Sequence, residues 1–599
     1  MSIDSLDKWN RIGRQKRSGV LVPLFCIYSK NSIGIGDFSD LKLLVDWAKE
    51  TGNSIIQLLP MNEVGSVFCP YDALSAFALE PLYLSFSDIP AAQGAVFSTL
   101  IAQLKKKYPA GKPHINYAIK KEKIALLREI FSGEYGRESA DFQCFMDSQG
   151  YWLDDFALFK ALKNFHHDAA WFDWRDEYKY RDRQSIQRFR IEHDQEIAFQ
   201  KWLQWQTYLQ FRATKAYAAK KNILLKGDLP ILVSRDSADV WQHAEFFRLE
   251  FAAGAPPDMY CAKGQRWGMP TNNWEQIRAD GFRYICEKLK YAGNFYDILR
   301  IDHAVGLFRI WSIPYDDAPE NHGLNGFFDP GDEGCWGAQG RGILETMLSN
   351  TGMLLCAEDL GIIPRVCIDT LRDLGIPGND VQRWVKDWDN RHDFLEPKEY
   401  RELSVAMLST HDTTNWPAWW ENEAGTVDEA LFMRKCKERS IDYEFVRRQL
   451  FDQKLSGHGR LRWKSNVDSV DKLCGVLGKR KEEVNDFVDL YLNTYQEKVK
   501  LWKHLGFSGA MREKWDSKIT EAALTVSLQS KAIFCINTVF DWLYLTDCFS
   551  GDPYQYRINT PGTISKSNWS LTIPVPLERL IKDKVNKKIL TLVQSSGRK

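Results

Sequence analysis

The sequence predicts an α/β protein, a (β/α)8 barrel with helical insertions and without a separate C-terminal β-sandwich domain. Short apolar runs alternate with amphipathic helical patterns, which is typical of parallel strands that are buried on both faces. Ionisable residues follow the ends of at least four successive runs. A closed barrel gathers its active site at that end of its strands, whereas a doubly wound sheet uses one crevice, so the barrel is favoured.

Barrel strands are predicted at apolar runs that end in polar or charged residues. The runs span residues 19–25, 54–60, 222–231, 297–303, 352–360 and 404–412. Each run is short and continuously apolar, as in a parallel sheet covered on both sides. The ionisable residues near the ends of the last four runs place the candidate chemistry at one end of the barrel.

Two helices are predicted between these runs. The first covers residues 37–52, with Asp37 as the N-cap and Gly52 as the stop signal. Its apolar face is formed by Phe38, Leu41, Val45 and Ala48. The second helix covers residues 363–375, with Pro364 in its first turn.

Residues 1–599 are predicted to form a single elaborated catalytic domain, because no internal repeat or low-complexity linker divides the chain. Residues 87–221 and 423–531 do not follow the strand–helix alternation. Both stretches are rich in charged residues with helical spacing, so we expect them to be mainly helical insertions on the barrel.

Composition argues against several classes of protein. The chain has 79 basic and 79 acidic residues, whereas a dedicated nucleic-acid binder usually carries a basic excess. It contains no apolar run of about 18 residues, so no membrane span is predicted. The first 20 residues lack the apolar core of a signal peptide, and the twelve cysteines are scattered without C-x-x-C pairs. We therefore expect reduced thiols and a cytoplasmic protein.

Three carboxylates, Asp302, Glu358 and Asp412, follow three different predicted strands. Cleavage of a glycosidic bond needs two carboxyl groups that flank the bond. One attacks the sugar or activates water, and the other protonates the leaving oxygen. A third carboxylate can bind sugar hydroxyls or stabilise the positive transition state.

Arg300 stands two residues before Asp302, so both side chains point to the same side of the strand. We expect Arg300 to keep Asp302 ionised, as a nucleophile requires. Glu358 needs a raised pKa to serve as an acid. The residues alone also allow a barrel salt bridge between Arg300 and Asp302 and a helix cap at Glu358.

Other classes of function stay open on the residues alone. In a metal-dependent barrel hydrolase, the metal ligands could be Asp228, His303, His411 and Asp412. Against this reading, the sequence has no H-x-H or H-E-x-x-H motif. A sugar-binding protein without catalysis is also compatible, but it has no need of three acids at strand ends.

Several sequence blocks in a fixed order carry a family resemblance. They are SIGIGDFSDL (32–41), CPYDALSAFALEPLYLS (69–85), KGDLPILVSRDSADVW (226–241), GAPPDMYCAKGQRWGMPTNNW (254–274), RIDH (300–303), AEDLG (357–361), STHDTTNW (409–416) and YRINTPGTISKSNW (556–569). No single block is specific, but their number and order are. The chain resembles the 4-α-glucanotransferases of glycoside hydrolase family 77, the amylomaltases and disproportionating enzymes.

The resemblance implies a role for each matching residue. Asp302 would be the nucleophile, Glu358 the general acid/base, and Asp412 the residue that stabilises the transition state. The substrate-binding residues implied are Tyr71, Asp228, Gln265, Trp267, Arg300, His303 and His411. Tyr71 would stack on a sugar ring, and Gln265 and Trp267 would help to form a lid. The resemblance implies no metal site and no cofactor.

The resemblance also implies the reaction, which is transfer of α-1,4-glucan segments between malto-oligosaccharides, or to glucose or glycogen, by a retaining double displacement. Maltose, glucose and malto-oligosaccharides would be the partners, with no nucleic acid and no membrane, and the oligomeric state stays open. The form RIDH-x-x-G-x-FRIW is more like the plant cytosolic disproportionating enzyme and its bacterial relatives. An α-glucan hydrolase or debranching enzyme of the same clan is the nearest rival function.

Overall fold

The computed structural model describes residues 3–136, 139–258, 261 and 263–599. Within these ranges, eight strands pair in parallel as one sheet: β1 (Arg17–Val22), β2 (Ile55–Leu58), β3 (Leu224–Leu229), β4 (Ile298–Ile301), β5 (Leu354–Ala357), β6 (Gly378–Val381), β7 (Ser404–Met407) and β8 (Phe534–Thr538). Their order in the sheet is β5-β4-β3-β2-β1-β8-β7-β6. The Ala357 N–H donates to the Pro377 carbonyl at 2.8 Å, so the two edge strands adjoin. The predicted (β/α)8 barrel is confirmed.

A buried carboxylate supports the seam between β5 and β6. Asp359 follows β5, and its side chain is 2% exposed. One of its oxygens accepts from the Asn379 N–H at 2.6 Å, and the other pairs with Arg401 at 2.5 Å. A Cβ at Gly378 would lie 2.3 Å from the Asp359 carboxylate, so the first residue of β6 has to be glycine for Asp359 to reach across.

A strand lies within or overlaps each of the six predicted runs, and two barrel strands were not predicted. β6 has the sequence GNDV, in which two of four residues are polar, so it lacks the apolar run that predicts a strand. Its Asn379 and Asp380 are nevertheless buried, because Asp359 and Arg401 satisfy their polar groups. β8 has the sequence FCINT, which is short and ends in polar residues.

Helices cover the outside of the barrel between most pairs of strands. The helix Phe38–Glu50 begins at Asp37, whose carboxylate accepts from the N–H groups of Ser39 and Asp40, as the sequence predicts. Arg365–Leu374 begins directly after Pro364. The remaining helices in or beside this layer are Ile3–Ile12, Ala238–Gln242, Trp274–Ala279, Arg283–Ala292, Glu333–Ser349, Trp416–Ala418, Val539–Leu543, Leu577–Leu580 and Val585–Ser595.

The connection from β6 to β7 differs from the regular repeat. Its described residues form the 3-10 turns Gln382–Trp384 and Pro397–Glu399 and the paired strands Lys386–Asp387 and Asp393–Phe394, with no α-helix. Gln382 donates to the Ala523 carbonyl at 3.0 Å, in the helix Ser517–Gln529 that precedes β8. A helix from elsewhere in the chain therefore packs beside this part of the barrel.

The connection from β2 to β3 is largely helical. Its helices are Ala95–Lys107, Ile119–Ser132, Ala140–Phe165, Asp176–Lys179, Arg183–Glu192 and Asp194–Lys220. The two longest of these pack side by side through aromatic pairs, with ring centroids 5.1 Å apart for Phe142 with Trp205 and for Phe145 with Tyr208.

The connection from β7 to β8 combines helices with a small antiparallel sheet. The sheet contains Thr426–Asp428, Phe451–Gly457 and Arg460–Trp463, and the sequence pattern did not predict it. The helices are Glu429–Glu438, Tyr443–Leu450, Val470–Leu477, Asn485–Thr494, Glu497–His504 and Ser517–Gln529. Phe432, Trp463 and Phe487 help to form a hydrophobic core here that is distinct from the barrel core. At the tip of its hairpin, the His458 ring lies 4.7 Å from the Tyr554 ring.

A second antiparallel sheet lies where the connections after β3 and β4 meet. Its strands are Phe327–Asp329, Ile310–Pro314, Phe251–Ala255 and Gln265–Arg266, in that order. The loop 254–274 singled out in the sequence enters this sheet, and its residues Met259, Tyr260 and Ala262 lie outside the described residues. A further pair of short strands, Phe247–Arg248 and Thr271–Asn272, closes the base of the loop.

None of the helices in the described ranges has the length and apolar character needed to cross a membrane.

Gly340 and Gly342 give a matched test of packing within the helix Glu333–Ser349. A Cβ at Gly340 would meet the buried Phe308 ring at 2.2 Å, whereas one at Gly342 meets nothing within 4 Å among the described atoms beyond its chain neighbours and its own helix backbone. We expect Gly340→Ala to lower the free energy of unfolding by about 1–3 kcal/mol through overpacking. Gly342→Ala is expected to raise it by about 0.5–1 kcal/mol, because alanine forms helix better. Urea denaturation measures both changes, and equal effects would contradict this account.

Candidate active site

Arg300 lies at the carboxyl end of β4 and joins two carboxylates. Its Nη1 atom lies 2.7 and 2.6 Å from the two oxygens of Asp228 and 2.8 Å from Oδ1 of Asp302. Asp228 stands beside Arg300 in the register of β3 and β4, so both side chains project from the same face of the sheet. The predicted contact between Arg300 and Asp302 is present. The side chain of Asp228 is fully buried and serves as a second partner of the guanidinium.

Tyr71 connects this pair to the strand end at β7. Its hydroxyl lies 2.8 Å from Oδ2 of Asp228 and 2.7 Å from Nε2 of His411, and its ring stacks on the His411 ring at 5.3 Å. Burial and the negative charge of Asp228 raise the pKa of Tyr71 well above its ordinary value, so the hydroxyl stays protonated. His411 Nε2 also lies 3.3 Å from Oδ2 of Asp412. A continuous polar network therefore runs from Asp302 to Asp412.

Asp412 is more exposed than Asp302, with 44% of its side chain accessible against 26%. Its Oδ1 accepts from the Asn559 side-chain amide at 2.9 Å. Burial opposes its ionisation, but His411, Asn559 and Arg300 together hold the pKa of Asp412 below its ordinary value. Asp412 is therefore a carboxylate throughout the neutral range.

Glu358 follows β5, and two backbone N–H groups hold its carboxyl group. Oε2 accepts from the N–H of His303 and Oε1 from that of Leu360, both at 2.9 Å. Burial raises the pKa of Glu358 to about 8, and the charge of Asp302 adds to the effect while Arg300 opposes it. The backbone of His303 is left-handed, with φ +44°, which is uncommon for a residue with a Cβ and is frequent at functional sites.

Asp302 is held in a different ionisation state from Glu358. Burial raises the pKa of Asp302 to about 6, although Arg300 opposes the shift. At pH 7, Asp302 is therefore mostly ionised while Glu358 is mostly protonated. Two neighbouring carboxyl groups in opposite states are what a nucleophile and a general acid require.

Trp267 lies beside His303, with its ring edge-on at 4.9 Å between centroids. Its Nε1 donates to the side-chain oxygen of Gln265 at 3.0 Å. Burial and the nearby Arg300 lower the pKa of His303 to about 4, so this imidazole is neutral. Gln265 thus stands next to the site through Trp267.

The structure brings the predicted residues to one end of the barrel. Asp302, Glu358, Arg300, His303, Asp228, Tyr71, His411 and Asp412 are joined by the contacts above, and Trp267 with Gln265 adjoins them. Sequence reasoning missed Asn559, although it singled out the block 556–569 that contains it. Asp359 points away from this network into the seam between β5 and β6.

Across the described ranges, no group of three or more His, Cys, Asp or Glu side chains is arranged to hold a metal ion. The two acidic residues considered for a metal site have other partners. The oxygens of Asp228 are taken by Arg300 and Tyr71, and Oδ1 of Asp412 is taken by Asn559.

A closed parallel barrel with carboxyl groups at the carboxyl ends of its strands is the architecture of a barrel enzyme, and a pair of carboxyl groups is what cleavage of a glycosidic bond requires. The sequence profile of the 4-alpha-glucanotransferases, glycoside hydrolase family 77, matches residues 22–576. The chain belongs to this family.

Relatives agree with this assignment. A 4-alpha-glucanotransferase of Chlamydia pneumoniae is 34% identical over 603 residues, which cover 98% of each chain. A 4-alpha-glucanotransferase of rice, Oryza sativa, is 37% identical over 325 residues, 52% of this chain and 34% of that protein. The amylomaltase of Streptococcus agalactiae, solved in complex with acarbose, shares the fold with a TM-score of 0.70 at 21% identity, covering 98% of this chain and all of that one. The family decides for a glucanotransferase over an α-glucan hydrolase, a metal-dependent hydrolase or a sugar-binding protein without catalysis.

The raised pKa of Glu358 predicts a pH-dependent stability. The ordinary pKa is 4.5 and the native one about 8, so between these values ionisation favours the unfolded chain and stability falls as pH rises. Glu358→Gln does not titrate. We expect the free energy of unfolding of Glu358→Gln, relative to that of the wild type, to rise by on the order of 1–3 kcal/mol between pH 4.5 and pH 8.

Urea denaturation at a series of pH values measures this difference. The exposed Glu345→Gln serves as the control for the substitution itself. If the difference in free energy of unfolding between Glu358→Gln and the wild type does not change with pH, the raised pKa of Glu358 is refuted.

Proposed function

We propose that the protein transfers α-1,4-glucan segments between malto-oligosaccharides, or to glucose, maltose or glycogen, through a covalent glycosyl-enzyme. The observation that carries this proposal is the placement of Asp302 and Glu358 after the neighbouring strands β4 and β5, where Asp302 pairs with Arg300 and two backbone N–H groups hold Glu358. Such a pair supports a retaining double displacement.

In the first step, Asp302 attacks the anomeric carbon of the donor. Arg300 donates to Oδ1, so we assign the attack to Oδ2. The bond from the anomeric carbon to the departing 4-oxygen breaks, and that oxygen takes the proton of Glu358. The products are a glycosyl ester on Asp302, a shortened glucan and an ionised Glu358.

In the second step, the 4-hydroxyl of an acceptor glucan gives its proton to Glu358 and attacks the anomeric carbon. The ester bond to Asp302 breaks, and the carboxylate returns to its pair with Arg300. Two inversions at the same carbon retain the α configuration. The backbone N–H groups of His303 and Leu360 keep the Glu358 carboxyl group in one place for both proton transfers.

The ring at the point of cleavage carries positive charge in the transition state. We propose that Asp412 stabilises this charge and binds sugar hydroxyls, since it is ionised and partly accessible. Tyr71, His303, His411, Trp267 and Gln265 would line the same subsite. Arg300 and Asp228 would support it from beneath, because both side chains are buried.

Transfer requires that an acceptor sugar competes with water for the glycosyl-enzyme. Trp267 belongs to the loop 254–274, and its aromatic ring lies beside His303. This position supports a subsite that binds a sugar and excludes water. Relatives named 4-alpha-glucanotransferase support transfer over hydrolysis, and the acarbose complex of the Streptococcus agalactiae amylomaltase supports a malto-oligosaccharide as the ligand.

We further propose that residues 1–599 act as one catalytic domain with insertions at 87–221 and 423–531. The placement of these stretches between β2 and β3 and between β7 and β8 supports this division. We propose a cytoplasmic location because all twelve cysteines are free thiols, as is usual in a reducing compartment.

Incubation with maltotriose alone tests the reaction. We expect the wild type to give glucose and a ladder of longer oligosaccharides, because one glucan acts as donor and another as acceptor. Asp302→Asn is expected to form the longer oligosaccharides at least about a thousandfold more slowly, since the nucleophile is gone. The exposed Asp373→Asn is the matched control and keeps wild-type activity.

Chromatography of the products with and without EDTA distinguishes the outcomes. Glucose and maltose without longer products would show hydrolysis, and loss of activity with EDTA would show dependence on a metal. If Asp302→Asn still forms the longer oligosaccharides, the role of Asp302 as nucleophile is refuted.

The pH dependence of kcat/KM is expected to be bell-shaped, with its maximum between about pH 6 and about pH 8. Below this range Asp302 takes up a proton and no longer attacks. Above it, Glu358 has lost the proton that the leaving oxygen needs. Initial rates on maltotriose from about pH 4 to about pH 10 measure the profile. An acidic limb without a basic limb would contradict the role of Glu358.

A further inference from the structure

Residues 61–85, which follow β2 and contain Tyr71, form a loop that we call the Tyr71 loop. Two isolated bridges fold the loop back on itself, Asn62 with Leu79 and Val64 with Ala73. Its described residues contain one short helical turn, Pro81–Tyr83. The position of Tyr71 therefore depends on side chains that hold the loop from outside.

Three helices of the β2–β3 connection direct buried or half-buried polar side chains into the Tyr71 loop. The side chains are Lys120 and Lys123 of Ile119–Ser132, Lys160 of Ala140–Phe165, and Gln204 and Gln210 of Asp194–Lys220. Lys120 pairs with Glu80 at 2.7 Å, and Lys123 donates to the Leu82 carbonyl at 2.8 Å. The two glutamines bond the backbone of Leu79 and Ser85 through both their oxygen and their nitrogen.

Among these contacts, the ion pair of Lys160 with Glu63 joins the insertion to the start of the Tyr71 loop. The Lys160 Nζ lies 2.7 Å from Oε1 of Glu63, whose side chain is 4% exposed. Oε2 of Glu63 accepts from Gln204 at 3.3 Å. Burial opposes charge on Lys160, yet Glu63 holds the pKa of Lys160 above its ordinary value, so this lysine is charged. Removal of the lysine would leave a buried carboxylate without its counter-charge.

Glu63 also links the pair to Tyr71 through the backbone. Its carbonyl accepts from the Leu74 N–H, three residues beyond Tyr71, and its N–H donates to the Ala78 carbonyl, both at 2.8 Å. At the other end, the Tyr71 hydroxyl is fixed by Asp228 and His411. A shift of Glu63 would therefore move the segment that presents Tyr71.

We propose that Lys160 and Glu63 are positioning residues for glucan transfer, which hold the Tyr71 loop from the helical insertion and so set how tightly the donor sugar is bound. This inference rests on the proposed function, in which Tyr71 contacts the donor. The insertion thereby takes part in substrate binding without contacting the substrate.

A double-mutant cycle in the full chain separates positioning from a general effect on stability. We expect Lys160→Met to raise KM for maltotriose about tenfold and to change kcat less than about threefold, because donor binding is weakened. In a Tyr71→Ala background the same substitution is expected to change KM less than about twofold, since the residue through which it acts is absent. Lys160→Arg, which keeps the charge, is expected to restore KM to within about threefold.

The matched control is Lys107→Met, which breaks an exposed pair with Glu122 in the same insertion. We expect this variant to change KM less than about twofold. An equal rise of KM from Lys160→Met in both backgrounds, or an unchanged KM, would overturn the proposal. If Lys160→Met does not fold by circular dichroism, Glu63→Gln replaces it in the cycle.

Amide hydrogen exchange gives a readout that does not need activity. Peptides from residues 61–85 are expected to exchange faster in Lys160→Met or Glu63→Gln than in the wild type, but not in Lys107→Met. Unchanged exchange would overturn the proposal. A wild type that makes no longer oligosaccharides would instead refute the proposed function, and the exchange data would still decide whether the pair holds the loop.

Discussion

The site depends on one buried cation shared by two carboxylates. Arg300 has 8% of its side chain exposed and pairs with both Asp228 and Asp302. Loss of one partner of a buried ion pair typically costs about 3–5 kcal/mol, because the other charge is left in a poorly solvated place. Through Asp228 the cation fixes Tyr71 and hence His411. Through Asp302 it influences the charge next to Glu358. The geometry of the site and the ionisation of its carboxyl groups therefore both depend on Arg300.

Three carboxyl groups near this cation differ in pKa because their surroundings differ. Asp412 accepts from Asn559 and lies beside His411, so its pKa is low. Asp302 is more buried but paired with Arg300, and its pKa of about 6 reflects both effects. Burial raises the pKa of Glu358 to about 8, and the charge of Asp302 adds to the rise, although Arg300 and the Leu360 N–H oppose it. These differences in local solvation and charge support the proposed roles of Asp302 as nucleophile and of Glu358 as general acid.

Much of this arrangement was predictable from residue order, and the rest depended on contacts across the chain. The apolar runs predicted six barrel strands, and Asp302, Glu358 and Asp412 were found because each follows such a run. β6 was missed because Asn379 and Asp380 are buried only with Asp359 and Arg401, which come from other elements. Asn559 lies 147 positions from Asp412, and no local pattern predicts that contact. The shifts of pKa follow from burial, which sequence does not specify.

Part of the segment between β7 and β8, from Val427 to Tyr491, packs around its own core, and its hairpin tip at His458 touches Tyr554, close to the block that supplies Asn559. We expect changes inside this part to leave the barrel strands and their registers unaltered, because its core is separate from theirs. Evolution can therefore remodel this part as a unit while the groups at the strand ends keep their positions. For protein engineers, it is the place to exchange whole modules between homologues.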